Sequence, residues 1–238
     1  MTRASAPVDL ANPLCVALDG SDPRACVRLA GSVAPAAGLL KVGLTSFAAG
    51  GPSLVAEIRA LAPVFLDLKL HDIPAQVRGA VEAIAELGVA YTTVHASGGT
   101  AMLRAAADAG NGRVVILAVT VLTSLTDGDL TQLGIDEDPK GQVLRLGELA
   151  LEAGIDGLVC SPREVGALRA RFGHRDRGGP LLVVPGIRPA GSVADDQQRV
   201  MSAREAIGLG ADVIVVGRPI TASADPAAAA HALVAEIA

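Results

Sequence analysis

Aromatic residues are nearly absent from this 238-residue chain, which has one Tyr, three Phe and no Trp. A core must therefore be built from Ala, Val, Leu and Ile. The interleaved aromatic and basic platforms that stack nucleic-acid bases are excluded. An excess of positive charge is also missing. Twenty Lys and Arg stand against 25 Asp and Glu, a formal net charge of −5, so nucleic acid is not expected as a partner. The three cysteines, Cys15, Cys26 and Cys160, are odd in number and lack metal-ligand spacing. They are expected as reduced thiols of a cytoplasmic protein. No apolar run approaches the ~18 residues that a membrane span needs. The opening stretch MTRASAPVDLANP has no apolar signal-peptide region. Neither a targeting segment nor a membrane segment is expected.

What the chain does have is aliphatic bulk, with 50% hydrophobic residues arranged in short runs bounded by Gly, Pro or Asp. Candidate strands are Leu14–Asp19, Gly38–Gly43, Val64–Leu70, Tyr91–Ala96, Val114–Leu122, Gly157–Ser161, Leu181–Ile187 and Val213–Gly217. Most lack period-2 polarity, as strands buried on both faces do. Between them lie stretches of helical spacing, among them Ile73–Leu87, Gly141–Ala153, Ser202–Leu209 and Ala227–Ile237. The polar stretch Thr123–Leu133 predicts an extra loop or short helix. Eight alternations in one chain of this length predict an α/β fold, a single (β/α)8 TIM barrel over residues 1–238. A doubly wound open sheet is the alternative.

The polar residues gather at the C-terminal ends of these strands, the face on which barrels carry their sites. Asp19 ends the first strand, and Asp22 is available to cap the helix that follows. Lys41 lies in an apolar run and requires acidic partners, for which Asp19 and Asp67 are the natural choices. The third strand runs into Asp67-Leu68-Lys69-Leu70-His71-Asp72-Ile73-Pro74. Strand alternation puts Asp67 and Lys69 on one face and Leu66, Leu68 and Leu70 on the other. Two acids around one lysine are more than a structural pair needs and suit an arranged proton donor. His95 reads as a satisfied core histidine and stays outside the catalytic set. Thr123 follows the fifth strand. Gly217-Arg218-Pro219 opens a helix after the eighth strand and predicts an anion site. Residues 188–199 lack an apolar period and are long enough for a lid.

These pieces together resemble the orotidine 5′-monophosphate decarboxylase family. The matching segments are Ala17-Leu18-Asp19, Lys41-Val42-Gly43, Phe65 to Pro74, Thr93-Val94-His95-Ala96, Leu122-Thr123-Ser124, Pro185-Gly186-Ile187-Arg188, Asp196-Gln197 and Val216-Gly217-Arg218. They occur in family order along nearly the whole chain, and the octet Asp67–Pro74 is the most specific of them. The resemblance implies a cofactor-free homodimer, without a metal, that converts orotidine 5′-monophosphate to UMP and CO2 in pyrimidine biosynthesis.

It also implies a role for each matching residue. Lys69 would protonate C6, and Asp67 would sit beside the substrate carboxylate. Asp72 would reach the neighbouring subunit's site, with Ile73 and Gln76 as substrate contacts. Lys41 and Asp19 would hold the ribose hydroxyls and align the charges. Thr123 would meet the pyrimidine amide, and Arg218 with the Gly217 amide would bind phosphate. Arg188 and Gln197 would belong to the closing loop. The chain departs from the family at Asp72-Ile73-Pro74-Ala75-Gln76, where members commonly read Asp-Ile-Pro-Asn-Thr, so Gln76 replaces a threonine. Two rivals remain. Mg²⁺-dependent sugar-phosphate relatives place an acid where this chain has Lys41, and a silent nucleotide binder would need no buried Asp/Lys array.

Overall fold

The computed structural model describes residues 12–187 and 201–237. The strands are β1 (Leu14–Ala17), β2 (Leu39–Gly43), β3 (Val64–Leu70), β4 (Tyr91–His95), β5 (Val115–Val119), β6 (Gly157–Val159), β7 (Leu181–Val184) and β8 (Val213–Val216). All pair in parallel with their sequence neighbours, and β1 also pairs with β8, so the sheet closes into a barrel. The expected TIM barrel is present, and the open sheet is excluded because no edge remains.

Helices return the chain on the outside. They are α1 (Pro23–Val33), α2 (Leu44–Arg59), α3 (Pro74–Glu86), α4 (Gly99–Gly110), α5 (Asp127–Gln132), α6 (Pro139–Glu152), α7 (Val165–Phe172), α8 (Ala203–Gly208), α9 (Arg218–Thr221) and α10 (Pro226–Ile237). Their starts carry local signals. Asp22 accepts the Arg24 N–H at 2.9 Å and caps α1, which leaves Asp19 free for another task. Asp138 caps α6 by accepting the Gly141 N–H. Thr126 with Asp129 and Ser202 with Glu205 form capping boxes on α5 and α8. The expected short helix after the fifth strand is α5. Helix α2 is kinked where Gly51 adopts φ +56° ahead of Pro52.

Two apolar cores result. The larger lies between the barrel wall and the helices and takes Leu66, with Leu68 and Leu70 packed against it. The smaller fills the barrel itself with residues such as Cys15, Leu39, Leu117 and Val183. Phe65 and Tyr91, two of the chain's four aromatics, meet edge to face there with ring centres 6.0 Å apart. The scarce aromatic volume thus plugs the barrel beneath the mouth. At the opposite end, buried Arg169 of α7 binds the carbonyls of Gly173, Pro180 and Gly210 and the carboxylate of Asp212. Asp212 also accepts the Leu182 N–H, so this one side chain ties α7 to the starts of β7 and β8.

Several strands end earlier than their sequence pattern suggests: β1 at Ala17, β5 at Val119, β7 at Val184 and β8 at Val216. The apolar residues that follow, Val121, Leu122 and Ile187 among them, line a pocket at the barrel mouth. They are apolar because they form a wall, and in sequence that is indistinguishable from continued strand. Among the described residues, no helix is long and apolar enough to cross a membrane.

Candidate active site

The pocket at the C-terminal mouth has a volume of about 500 Å³. It gathers Asp19, Lys41, Asp67, Lys69, Thr123, Gly217 and Arg218 from the ends of several strands and the loops after them. The odd-numbered strand residues point inward. Lys41 lies opposite Ala17 on one side and Phe65 on the other, and Gly43 lies opposite Asp67. This register brings β2 and β3 charges together above the aromatic plug.

The four charged groups alternate in sign along a line. The Lys41 ammonium is 3.1 Å from Asp19 Oδ1 and 3.6 Å from Asp67 Oδ2, and the Lys69 ammonium is 2.7 Å from the same Asp67 Oδ2. Exposure rises toward the two ends. Lys41 and Asp67 side chains are 11% and 10% exposed, Lys69 is 29% and Asp19 is 59%. The inner pair is thus withdrawn from water, while Lys69 and Asp19 present to whatever fills the pocket.

Burial alone would push the Asp67 carboxyl up. The ammonium groups of Lys41 and Lys69 and hydrogen bonds from Lys69 and Thr93 outweigh it and hold the carboxyl below its ordinary range. Burial would likewise push Lys41 down, but Asp67 and Asp19 hold it above its ordinary value. Both inner groups therefore stay charged. Burial pushes the Cys15 thiol beneath them up to about 12, against the pull of Lys41, so it remains a neutral filler. His95 at the end of β4 has its imidazole pKa lowered by burial, then by His71 and Lys69. The His71 and His95 rings lie 5.4 Å apart.

Two residues of this arrangement received no role from the sequence, although both fall in segments that resemble the family. At Gly43 a Cβ would lie 2.6 Å from Asp19 Oδ1 and 3.0 Å from Lys41 Nζ, so a side chain there would displace the ends of both. Thr93, fully buried on β4, donates to Asp67 Oδ1 at 2.9 Å and accepts the Lys69 N–H at 2.8 Å. Gly43 stands two residues after Lys41, and Thr93 opens the matching segment Thr93-Val94-His95-Ala96, but composition alone does not separate it from Thr92.

Asp72, Ile73 and Gln76 are not brought into this chain's pocket. All three are exposed, Ile73 by 63%, with Asp72 and Ile73 on the turn into α3 and Gln76 in its first turn. Asp72 Oδ1 accepts the N–H of Ile73. Arg188 and Gln197 lie outside the described residues. Helix α9, opened by Gly217 and Arg218, is a single turn of four residues. The expected anion site therefore rests on the guanidinium and local backbone N–H groups, since so short a helix has little macrodipole. Among the described residues, no group of three or more His, Cys, Asp or Glu is placed to hold a metal. The three cysteines are buried and unpaired with one another.

A family model described as orotidine 5′-phosphate decarboxylase / HUMPS family matches residues 12–233. An orotidine 5′-phosphate decarboxylase of Anaeromyxobacter sp. (strain K) is 53% identical over 223 residues, which covers 93% of this chain and 96% of that protein. The enzyme of that name from Thermobifida fusca is 46% identical over 230 residues, covering 96% and 97%. The crystal structure of orotidine 5′-phosphate decarboxylase from Lactobacillus acidophilus superposes with a TM-score of 0.83 at 36% identity, covering 95% of this chain and 99% of that one. Sequence and fold agree from the first strand to the last helix, and the chain belongs to the orotidine 5′-phosphate decarboxylase / HUMPS family.

Proposed function

We propose that this protein, a single-domain barrel, decarboxylates orotidine 5′-monophosphate to UMP and CO2, the last step of pyrimidine biosynthesis. Family membership at 53% identity supports the reaction. The observation that carries the chemistry is the Asp19–Lys41–Asp67–Lys69 line of charges, with Arg218 lining the same pocket.

The reaction breaks the C6–carboxylate bond and leaves its electron pair on C6, where no ring carbonyl can absorb it. The site must therefore act through charge and position. The Lys69 ammonium stabilises the developing charge and transfers a proton from Nζ to C6. The neutral amine then regains a proton from water. Asp67, held ionised, faces the departing carboxylate. Two like charges ~4 Å apart repel by about 4 kcal/mol at an effective dielectric of ~20, and release of CO2 relieves that repulsion. Rate enhancements of this class demand on the order of 20 kcal/mol, so repulsion supplies a minor share. The rest is assigned to preorganised charge and to the phosphate handle on Arg218 and the Gly217 amide, whose binding energy is remote from the reacting carbon.

Lys41 and Asp19 hold the ribose hydroxyls, and Thr123 meets the pyrimidine amide. Lys41 already occupies the place between Asp19 and Asp67 that a divalent cation would need. No cofactor or metal is required on this reading. Asp72, Ile73 and Gln76 serve the neighbouring subunit of a homodimer. Their exposure beside the mouth, together with Leu44 at 59%, supports that assignment. A cytoplasmic setting fits the three free thiols.

The test is the loss of orotidine 5′-monophosphate absorbance on adding purified protein, with and without EDTA. Conversion to UMP that EDTA leaves unchanged is expected. Failure to convert, by folded protein that still binds UMP, would overturn the reading, and dependence on a divalent cation would move the chain toward metal-dependent chemistry.

A further inference from the structure

We infer that Thr93 is a positioning residue that locks the Lys69 backbone and the Asp67 carboxylate into one unit; the inference rests on the decarboxylase reading for its kinetic consequences. The starting point is a fault in the barrel's register. Along the β3–β4 seam, Leu66 lies opposite Thr92 and Leu70 lies opposite Val94. Three residues of β3, Asp67 to Lys69, therefore occupy the span of one residue of β4, Thr93. The surplus is taken up as a bulge. Within it Lys69 adopts φ +51°, a left-handed conformation that a long side chain seldom accepts without support. Asn111, a helix C-cap, is the other non-glycine residue at positive φ among those described, and asparagine tolerates that region.

The support is the Thr93 hydroxyl. An amide N–H can only donate, so Thr93 Oγ1 accepts from Lys69 N at 2.8 Å. An ionised carboxylate can only accept, so the same hydroxyl donates to Asp67 Oδ1 at 2.9 Å. Its one proton is thereby committed, and the group cannot rotate without losing a bond. With Oδ1 occupied from below, Oδ2 is the oxygen left to the two ammonium groups. One buried hydroxyl thus sets both the aim of the proton donor and the face of the carboxylate beside it. If Lys69 relaxed to an extended φ, the bulge would straighten and the direction of its Cα–Cβ bond would change. The Thr93 hydrogen bond is also among the causes that keep Asp67 ionised. Neighbouring Thr92, equally buried, has no partner for its hydroxyl among the described residues, so burial in this strand does not by itself demand one.

The experiment compares Thr93→Val, which keeps the shape and removes the hydroxyl, with Thr93→Ser, which keeps the hydroxyl. Misplacement of a catalytic group by about 1 Å can cost roughly a hundredfold in rate. Thr93→Val is expected to lower kcat by about 10- to 100-fold, with KM and UMP affinity within about threefold of the parent. Thr93→Ser should restore kcat to within about threefold. The acid limb of the kcat–pH profile should move to higher pH in the valine variant, because Asp67 loses a donor. Hydrogen exchange reads the geometry without the reaction: the Lys69 amide should be protected in the parent and the serine variant and exposed in Thr93→Val. If Thr93→Val does not fold, Thr93→Cys replaces it, with the same fall in kcat expected from its weak donor. Unchanged kcat in the variant lacking the hydroxyl, or equal protection of the Lys69 amide in parent and variant, would overturn the inference. A parent that does not decarboxylate would instead indict the functional reading, and amide exchange alone would then judge Thr93.

Discussion

Replacing Gly43 with alanine adds one methyl group and should separate binding from folding. The new Cβ would lie 2.6 Å from Asp19 Oδ1 and 3.0 Å from Lys41 Nζ, where ordinary contact begins at 3.4 Å. Both neighbours are ends of flexible side chains, so the backbone need not move. Asp19 is 59% exposed and can swing into solvent, away from the ribose hydroxyls it is assigned to hold. The backbone at Gly43, φ −92° and ψ −176°, suits alanine without strain. Alanine also restricts the unfolded chain, which favours folding by about 0.4–1 kcal/mol. The half-exposed Asp19–Lys41 pair is worth ~1 kcal/mol or less, so the two effects nearly cancel. Hydrogen bonds to charged groups contribute about 1.5–3 kcal/mol each, so losing one should weaken UMP roughly 10- to 100-fold. The assay pairs UMP titration calorimetry with urea unfolding of the same preparations. Asp19→Ala should reproduce the affinity loss, and the double variant should add little to either single change. UMP affinity within about threefold of the parent would refute the argument. So would a stability loss above ~2 kcal/mol, which would mean that the methyl meets core rather than side-chain ends.

Three further outcomes follow from the same geometry. Lys69→Ala should lower turnover by at least the ~10²–10⁴ that a general acid contributes, with UMP binding and fold retained; more than about a hundredth of parental kcat would remove Lys69 as the essential acid. Arg169→Met leaves the Asp212 carboxylate buried beside unpartnered carbonyls, so urea unfolding should show a loss of about 3–5 kcal/mol while kcat at saturation is unchanged. Asp67 has a lowered pKa, so its contribution to stability is complete above the ordinary carboxylate value and lost as pH falls through the folded one. Lys41 has a raised pKa, and its contribution is complete below the ordinary lysine value and lost as pH rises through the folded one. The stability difference between parent and Asp67→Asn should therefore hold steady across neutral pH and shrink below about pH 4. A difference that grows on acidification would contradict the sign.

The barrel was legible because each strand is buried on both faces and each helix on one, and the two habits leave different runs in the chain. Asp22 announced the start of α1 through the short-range rules of helix capping, whereas α6 begins ahead of the expected Gly141, at Pro139 behind an Asp138 cap. The strand ends were less legible. Leu122 and Ile187 are apolar because a pocket wall must be, not because a ladder continues through them. The kink in α2 at Gly51-Pro52 carries the usual residues for a break, yet the helix resumes beyond it and runs on to Arg59, so the neighbouring periodicity passes through unmarked.

The charged site was legible for a different reason. A lysine or aspartate in an aliphatic run has no cheap structural explanation, so Lys41, Asp67 and Lys69 declare themselves by costing too much to bury alone. A threonine carries no such cost. Thr93 can sit in a strand through β propensity alone, and Thr92 beside it does so. Its distinction depends on what lies across the seam, 24 and 26 residues earlier in the chain. Reading β3 as plain alternation puts Asp67 and Lys69 on one face, and they do meet there. It does so, however, by assuming a straight ladder that the structure does not have. In a straight strand the two side chains would stand parallel, a full repeat of two residues apart. The Lys69 ammonium lies 2.7 Å from Asp67 on a bulged, left-handed backbone that a hydroxyl from the next strand holds. The residues of the site are thus a property of β3, while their geometry is a property of the seam between β3 and β4.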